Sequence, residues 1–219
     1  MSRDVLVSWS GGKDSCMALN EIQQSAVYKP VALLTTVTAD YDRISMHGVR
    51  RVLLERQAEA LGLSIIQVRI TKNAKNDEYE AKLLEAVASQ RGIDQLVFGD
   101  LFLEDIKQYR DTFLARHNLK GVYPIWQRDT RELIHEFIEA GFKAVTTCVD
   151  SRKLDSFFVG RVIDESFLRE LPSHIDPCGE NGEFHTFVFD GPNFREPIRF
   201  SLGEKVLREG FWFCDLVPE

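Results

Sequence analysis

Two short stretches of this chain combine side chains and backbone suited to chemistry. In the first, Ser10, Gly11, Gly12, Lys13, Asp14 and Ser15 follow an apolar run at 5–9 and precede Cys16, Met17, Ala18, Leu19 and Ile22. The run reads as a buried strand, and the residues after the loop as the apolar face of a helix. Glycines between them let backbone N–H groups approach an anion, and a helix N-terminus adds partial positive charge. Lys13 brings a full charge, and the Ser10 and Ser15 hydroxyls can donate to phosphate oxygens. Strand, loop, lysine and helix in that order describe a phosphate cradle, although the Walker spacing is absent. The plain alternative is a tight turn with Asp14 helping to cap the helix. In the second stretch, Cys178, Glu180, Glu183 and His185 fall within eight residues, among Gly179 and Gly182. Carboxylates beside a nucleotide can hold Mg²⁺, bind an ammonium ion or act as a general base. A position directly before a clear strand at 186–189 favours function over a solvated turn.

The elements that must position these groups follow from hydrophobic periodicity. Strands are expected at 5–9, 30–37, 63–70 and 95–100, with helices at 45–61, 76–90 and 104–117. In the last of these Ile106, Tyr109, Phe113 and Leu114 are expected to face inward. This β-α-β-α-β-α-β order predicts a parallel sheet covered on both faces. Ligands in such sheets bind at the carboxyl ends of strands, where 10–15, 35–38 and Gly99 with Asp100 all fall. Tyr123, Pro124, Ile125 and Trp126 read as a short extended segment. Asp129 reads as the cap of a helix through Ala140, and 143–149 as a fifth strand. Beyond Asp150 short β-rich runs and glycine–proline turns take over, with strands at 186–189, 198–202, 205–208 and 211–216. The expected division is a nucleotide domain over 1–150 and a smaller α+β domain over 151–219.

Bulk properties narrow the classes. The 219 residues carry 34 acidic and 27 basic side chains, a net charge of −7, which argues against a broad nucleic-acid footprint. Cys16, Cys148, Cys178 and Cys214 form neither a C-x-x-C pair nor a disulfide framework, as expected of a reducing, cytoplasmic compartment. No apolar run is long enough to span a bilayer, and no basic region with an apolar signal core opens the chain.

The residues Ser10, Gly11, Gly12, Lys13, Asp14 and Ser15 resemble the PP-loop of the N-type ATP pyrophosphatases. Adding Met46 and His47, then Phe98, Gly99 and Asp100, then Tyr123 to Trp126, the chain resembles the diphthine–ammonia ligase family. Gly179, Glu180, Asn181, Gly182 and Glu183, with Thr186 and the run Asp190, Gly191 and Pro192, extend that likeness nearly end to end. The resemblance implies an adenine-nucleotide α-hydrolase-like fold, ATP and Mg²⁺ as cofactors, and a two-step reaction. A substrate carboxylate attacks the α-phosphorus of ATP and releases pyrophosphate; ammonia then displaces AMP to form an amide. Where eukaryotic and archaeal members tend to have Gly-Glu-Tyr-Glu-Thr, this chain has Gly182, Glu183, Phe184, His185 and Thr186. With Cys178 and the compact length, that resembles the bacterial branch. Bacteria do not make diphthamide, so the likeness carries the activation chemistry further than the acceptor.

On this reading Ser10, Gly11, Gly12, Lys13, Asp14 and Ser15 hold the β- and γ-phosphates, and Lys13 stabilises charge as pyrophosphate leaves. Thr35 and Thr36 stand where the fold binds the adenine edge, and equally serve as β-branched strand residues. His47 contacts nucleotide or caps its own helix. Gly99 allows close approach, and Asp100 is the expected Mg²⁺ or nucleotide contact. Glu180 and Glu183 are expected to bind ammonium or metal, with His185 as a base; Cys178 reads as a small semi-buried thiol. The partners implied are a carboxylate-bearing acceptor and ammonia, with a homo-oligomer left open. Two other classes stay in the reading. A PP-loop enzyme that thiolates tRNA or forms lysidine is disfavoured by the acidic charge and the lack of C-x-x-C pairs. A nucleotide-binding module without catalysis shares the loop.

Overall fold

Alternate residues of the first strand enter different cores, and this decides the architecture. Val5 and Val7 lie in one apolar cluster and Leu6 in another, so the strand is covered on both faces. The computed structural model describes residues 2–39, 43–44, 48–71 and 74–219. β1 (Arg3–Ser8) is flanked in parallel by β2 (Tyr28–Thr38) and β5 (Gln95–Val97). β4 (Ser64–Ile70) pairs in parallel with β2, and β6 (Lys120–Val122) with β5. The parallel order is β4-β2-β1-β5-β6, and β3 (Arg43–Ile44) pairs antiparallel with Val37 and Thr38. The chain therefore reverses direction across the sheet between β1 and β5, the crevice where such sheets bind ligands.

The helices are α1 (Lys13–Gln24), α2 (Arg51–Leu61), α3 (Asn76–Ala88), α4 (Glu104–Arg116) and α5 (Thr130–Glu139). One core joins β1, α1 and α2; the other packs Leu83, Val87, Phe113 and Leu114 of α3 and α4 beneath Leu6, Leu34 and Leu96. Asp129 caps α5, accepting from the N–H groups of Arg131 and Glu132 at 2.9 and 3.1 Å.

A second, antiparallel sheet runs β8-β7-β10-β9, made of β7 (Lys143–Asp150), β8 (Phe184–Asp190), β9 (Phe200–Arg208) and β10 (Phe211–Pro218). Glu209 and Gly210, both at positive φ, close the β9–β10 hairpin. A short helix, α6 (Glu165–Glu170), begins at the cap Asp164.

Several details differ from the sequence expectations. β7 pairs with β8 and β10, so the chain has already changed sheet before residue 150. Its residues are buried from Ala144 to Asp150, and such a run looks the same in either kind of core strand. α2 begins at Arg51 instead of 45, because Gly48 takes a left-handed φ of 66° and Arg50 is extended. Ile106 and Tyr109 are exposed, leaving Phe113 and Leu114 as the buried residues of α4. Residues 198–202 and 205–208 belong to one strand that runs through Gly203. Tyr123 and Trp126 close a turn, with the Trp126 N–H donating to the Tyr123 carbonyl at 3.2 Å.

Candidate active site

The loop 10–15 leaves β1 at the crevice and is held from behind by other parts of the chain. Gly11 adopts a φ of 79°, a conformation glycine takes without strain. Its carbonyl accepts from the Val188 N–H of β8 at 2.9 Å and from Gln57 Nε2 at 3.0 Å. The Lys13 N–H, first in α1, donates to Thr186 Oγ1 at 3.0 Å, across 173 positions of sequence. Ser10 and Ser15 hydroxyls lie 3.2 Å apart, and Ser15 also donates to the Gly12 carbonyl. The N–H groups of Asp14 and Ser15, in the first turn, have no intrahelical acceptor and suit an anion.

Lys13 is buried, with Nζ 2.6 Å from Asp14 Oδ1 and 3.7 Å from Glu180 Oε1. Burial pulls its pKa down, but the neighbouring acidic groups, Asp14 foremost, outweigh this and hold the ammonium charged. Glu180 moves the other way, pushed up to about 8 by burial first and by the Asp14 charge next, with Lys13 opposing. Asp14, the nearer carboxylate, supplies most of the negative charge that Lys13 feels, and burial beside Asp14 favours the protonated form of Glu180. Asp100 forms an ion pair with Arg110, and its carboxyl is raised by burial, against the pull of Arg110. Gly99 earns its place by proximity: a Cβ there would meet the Asp14 backbone carbon and oxygen at 2.7 Å.

The stretch 176–186 is organised from within. Asp176 Oδ1 accepts from the N–H groups of Cys178 at 2.8 Å and Glu180 at 3.2 Å, while its Oδ2 accepts from Thr130 Oγ1. Glu183 is buried and accepts from Asp176 N–H, Asn181 N–H and Asn181 Nδ2 at 3.3, 2.9 and 3.1 Å. Its carboxylate is thus engaged by the very loop that presents Glu180. Cys178 is buried, donates to the Thr130 carbonyl, and burial pushes its thiol up to about 12. That is an inert thiol.

His185 lies opposite Cys148 in the β7–β8 ladder, while Thr186, the next residue, meets the loop 10–15 at the Lys13 N–H. Cys148 lines a cavity of about 690 Å³ between the sheets, walled by Phe211 and Phe213 and bordered by Thr38, Arg43 and Asp215. A second hollow of about 390 Å³ is lined by α3 and α4 residues alone.

Thr35 is buried, and its Oγ1 finds no hydrogen-bond partner among the described residues; Thr36 is half-buried. Met46 and His47 lie outside the described residues. The structure therefore brings the loop 10–15, Asp100 and Glu180 together, whereas Glu183 points into its own loop and His185 stands opposite Cys148 in the second sheet. Gln57, Thr186 and Asp176 had no assigned role in the sequence reading. Gln57 carried a signal: it is the amide among Leu53, Leu54, Ala58 and Leu61 on the buried face of α2, where a polar group requires a partner. Among the described residues, no helix is long and apolar enough to cross a membrane.

Comparison with known proteins agrees with this arrangement. The description "Diphthamide synthase N-terminal domain" matches residues 3–121, and "Diphthamide synthase C-terminal domain" matches 129–217. A protein of Mus musculus named diphthine–ammonia ligase is 28% identical over 231 residues, covering 94% of this chain and 85% of that one. Proteins of the same name from Danio rerio and Homo sapiens are 29% and 27% identical. They cover 90% and 94% of this chain, and 86% and 85% of their own lengths. With both halves matched, and the loop 10–15 of the first held against the second sheet, the chain belongs to the diphthamide synthase family, a family of ATP-dependent ligases.

Proposed function

We propose that the protein activates a substrate carboxylate with ATP, releasing pyrophosphate, and then forms an amide with ammonia. The observation that supports this best is the meeting of two distant stretches at one point. Lys13 in the loop 10–15 lies 3.7 Å from Glu180 in the stretch 176–186, at the crevice between β1 and β5. A loop of N–H groups and a buried ammonium suits the triphosphate, and the adjacent carboxyl suits proton handling.

In the first step the acceptor carboxylate oxygen bonds to the α-phosphorus as the bond to the β-phosphate oxygen breaks. Lys13 and the α1 N-terminus offset the charge that grows on pyrophosphate. In the second step ammonia bonds to the acyl carbon and AMP departs. With its pKa near 8, Glu180 can take a proton from ammonium or return one close to neutral pH. Glu183 and Asp176 hold the loop that carries it. His185, next to Thr186 in β8, is the candidate base for the acceptor. The cavity of about 690 Å³, lined by Phe211 and Phe213 together with the charged Arg43, Glu204, Arg208 and Asp215, is the acceptor room, formed largely by the second sheet. Thr35, with its orphaned hydroxyl, and Thr36 remain candidates for the adenine edge.

Mg²⁺ is bound in such sites by one or two carboxylates together with the phosphates, so a complete protein cage is not required. Asp100 and Asp14 suit that role: burial first and then the Asp14 charge raise the Asp100 carboxyl, a repulsion that a cation would relieve. Bound there, the ion would neutralise phosphate charge.

The test supplies Mg-ATP, ammonium and a small-molecule extract, and measures nucleotide products. AMP and pyrophosphate in equal amounts, dependent on the extract, support the reading. ADP and phosphate contradict it, and a pure binder would be stabilised by ATP while releasing neither product. Lys13→Ala is expected to lower turnover by about 100-fold or more with the fold intact.

A further inference from the structure

Gln57 is fully buried and links three segments. Its Oε1 accepts from Trp9 Nε1 at 2.9 Å, and its Nε2 donates to the carbonyls of Gly11 at 3.0 Å and Val188 at 2.6 Å. The Gly11 carbonyl also takes the Val188 N–H at 2.9 Å, so it is fixed from two sides, by α2 and by β8. The C=O and N–H of a trans peptide point in opposite directions. Holding the Gly11 carbonyl inward therefore turns the Gly12 N–H outward, toward the Ser10 hydroxyl at 3.3 Å and the side on which Lys13 and Ser15 stand. Reversal of that peptide would present a carbonyl to an incoming phosphate and withdraw a donor. There is little slack behind the loop: a Cβ on Gly11 would meet Gln57 Oε1 at 2.7 Å. One residue further on, Thr186 of the second sheet holds the Lys13 N–H.

We propose that Gln57 and Thr186 are positioning residues that keep the Gly11–Gly12 peptide and the start of α1 in the anion-receiving orientation. Through them the second sheet, as well as α2, is a working part of the triphosphate site. This rests on the phosphate-loop reading of residues 10–15, and it goes further in assigning the loop's shape to two side chains outside the motif.

The test compares binding of Mg-bound α,β-methylene-ATP and of AMP to the full chain, with thermal stability measured alongside. Gln57→Met keeps the length of the side chain without its donor and acceptor. Thr186→Val removes the hydroxyl at nearly constant volume, and Thr186→Ser restores it. Loss of a charge-assisted donor predicts triphosphate affinity lower by about 10- to 100-fold in Gln57→Met and Thr186→Val. AMP affinity should stay within about twofold, because AMP lacks the β- and γ-phosphates that the loop receives. Thr186→Ser should regain most of the loss. Equal loss of triphosphate and AMP affinity, or no loss in variants that fold, overturns the proposal. If Gln57→Met fails to fold, the Thr186 pair decides alone. A Lys13→Ala variant with unchanged triphosphate affinity would instead overturn the phosphate-loop reading itself.

Discussion

Glu180 and Glu183 stand in one short motif, yet their surroundings give them different chemistry. Glu180 faces Lys13 and is raised to about 8, whereas Glu183 spends its oxygens on backbone and side-chain donors of its own loop. A carboxyl raised by folding stabilises the native state fully below its unfolded pKa, and that stability is lost as pH rises through the folded value. Wild-type stability should therefore fall between about pH 4.5 and 8 in excess of what other groups cause. Glu180→Gln should remove this component, and denaturant titrations of both proteins at pH 5 and pH 9 would show it. An unchanged pH slope would mean that Glu180 is not the raised group. For Glu183→Gln, an amide nitrogen replaces one acceptor facing N–H donors, at a cost of about 1–3 kcal/mol. ATP affinity should stay near normal and amide formation should slow, since the loop carrying Glu180 loosens. Calorimetry beside single-turnover product formation separates the two effects. Proportional loss of both would assign Glu183 to the nucleotide.

At the scale of elements, the parallel sheet was legible because its strands are apolar, its helices periodic and its stops glycine-rich. β1, β2, β4 and β5 fall within the runs that periodicity marked or overlap them closely. What sequence could not give was pairing. β7 is buried from Ala144 to Asp150 like a parallel core strand, and its partners β8 and β10 reveal its sheet. Site legibility followed the same divide. Lys13 and Glu180 announced themselves by type and spacing; Gln57 and Thr186 act through contacts between segments far apart in the chain. Gly99 was legible as a close approach, but its neighbour is the first turn of α1. Gly99→Ala would press a methyl group against the Asp14 and Ser15 backbone, which cannot swing aside. Overpacking of this kind costs about 1–3 kcal/mol, measurable by chemical denaturation. Lys13 would shift with α1, so triphosphate affinity should fall as well. A fully stable Gly99→Ala would contradict the tight contact.

For the whole molecule, the two sheets share one apolar core, in which Val5, Leu19 and Leu53 join Phe137, Val149 and Phe187. They are also pinned at the far edge, where Asp215 of β10 accepts from Arg43 at 2.9 Å and from Arg50 Nη2 at 2.6 Å. The Arg50 hydrogen bond, with Arg43 adding, holds the Asp215 carboxyl below its ordinary range against the effect of burial. A lowered carboxyl contributes stability above its unfolded pKa and loses it as pH falls through the folded value. Asp215→Asn should cost about 1 kcal/mol at pH 7, a modest figure for a partly solvated pair, and much less below pH 3. A cost that does not shrink in acid would point to packing instead. Both sheets are proposed to build one triphosphate site, and the decisive measurement is a crystal structure with Mg-bound α,β-methylene-ATP. With both sheets building the site, the β- and γ-phosphates should lie against the N–H groups of Gly12, Asp14 and Ser15, Lys13 Nζ should reach a phosphate oxygen, and the Thr186 contact to the Lys13 N–H and the Gln57 contacts should be retained. A triphosphate bound elsewhere, or a loop that leaves β8 when nucleotide binds, would contradict it.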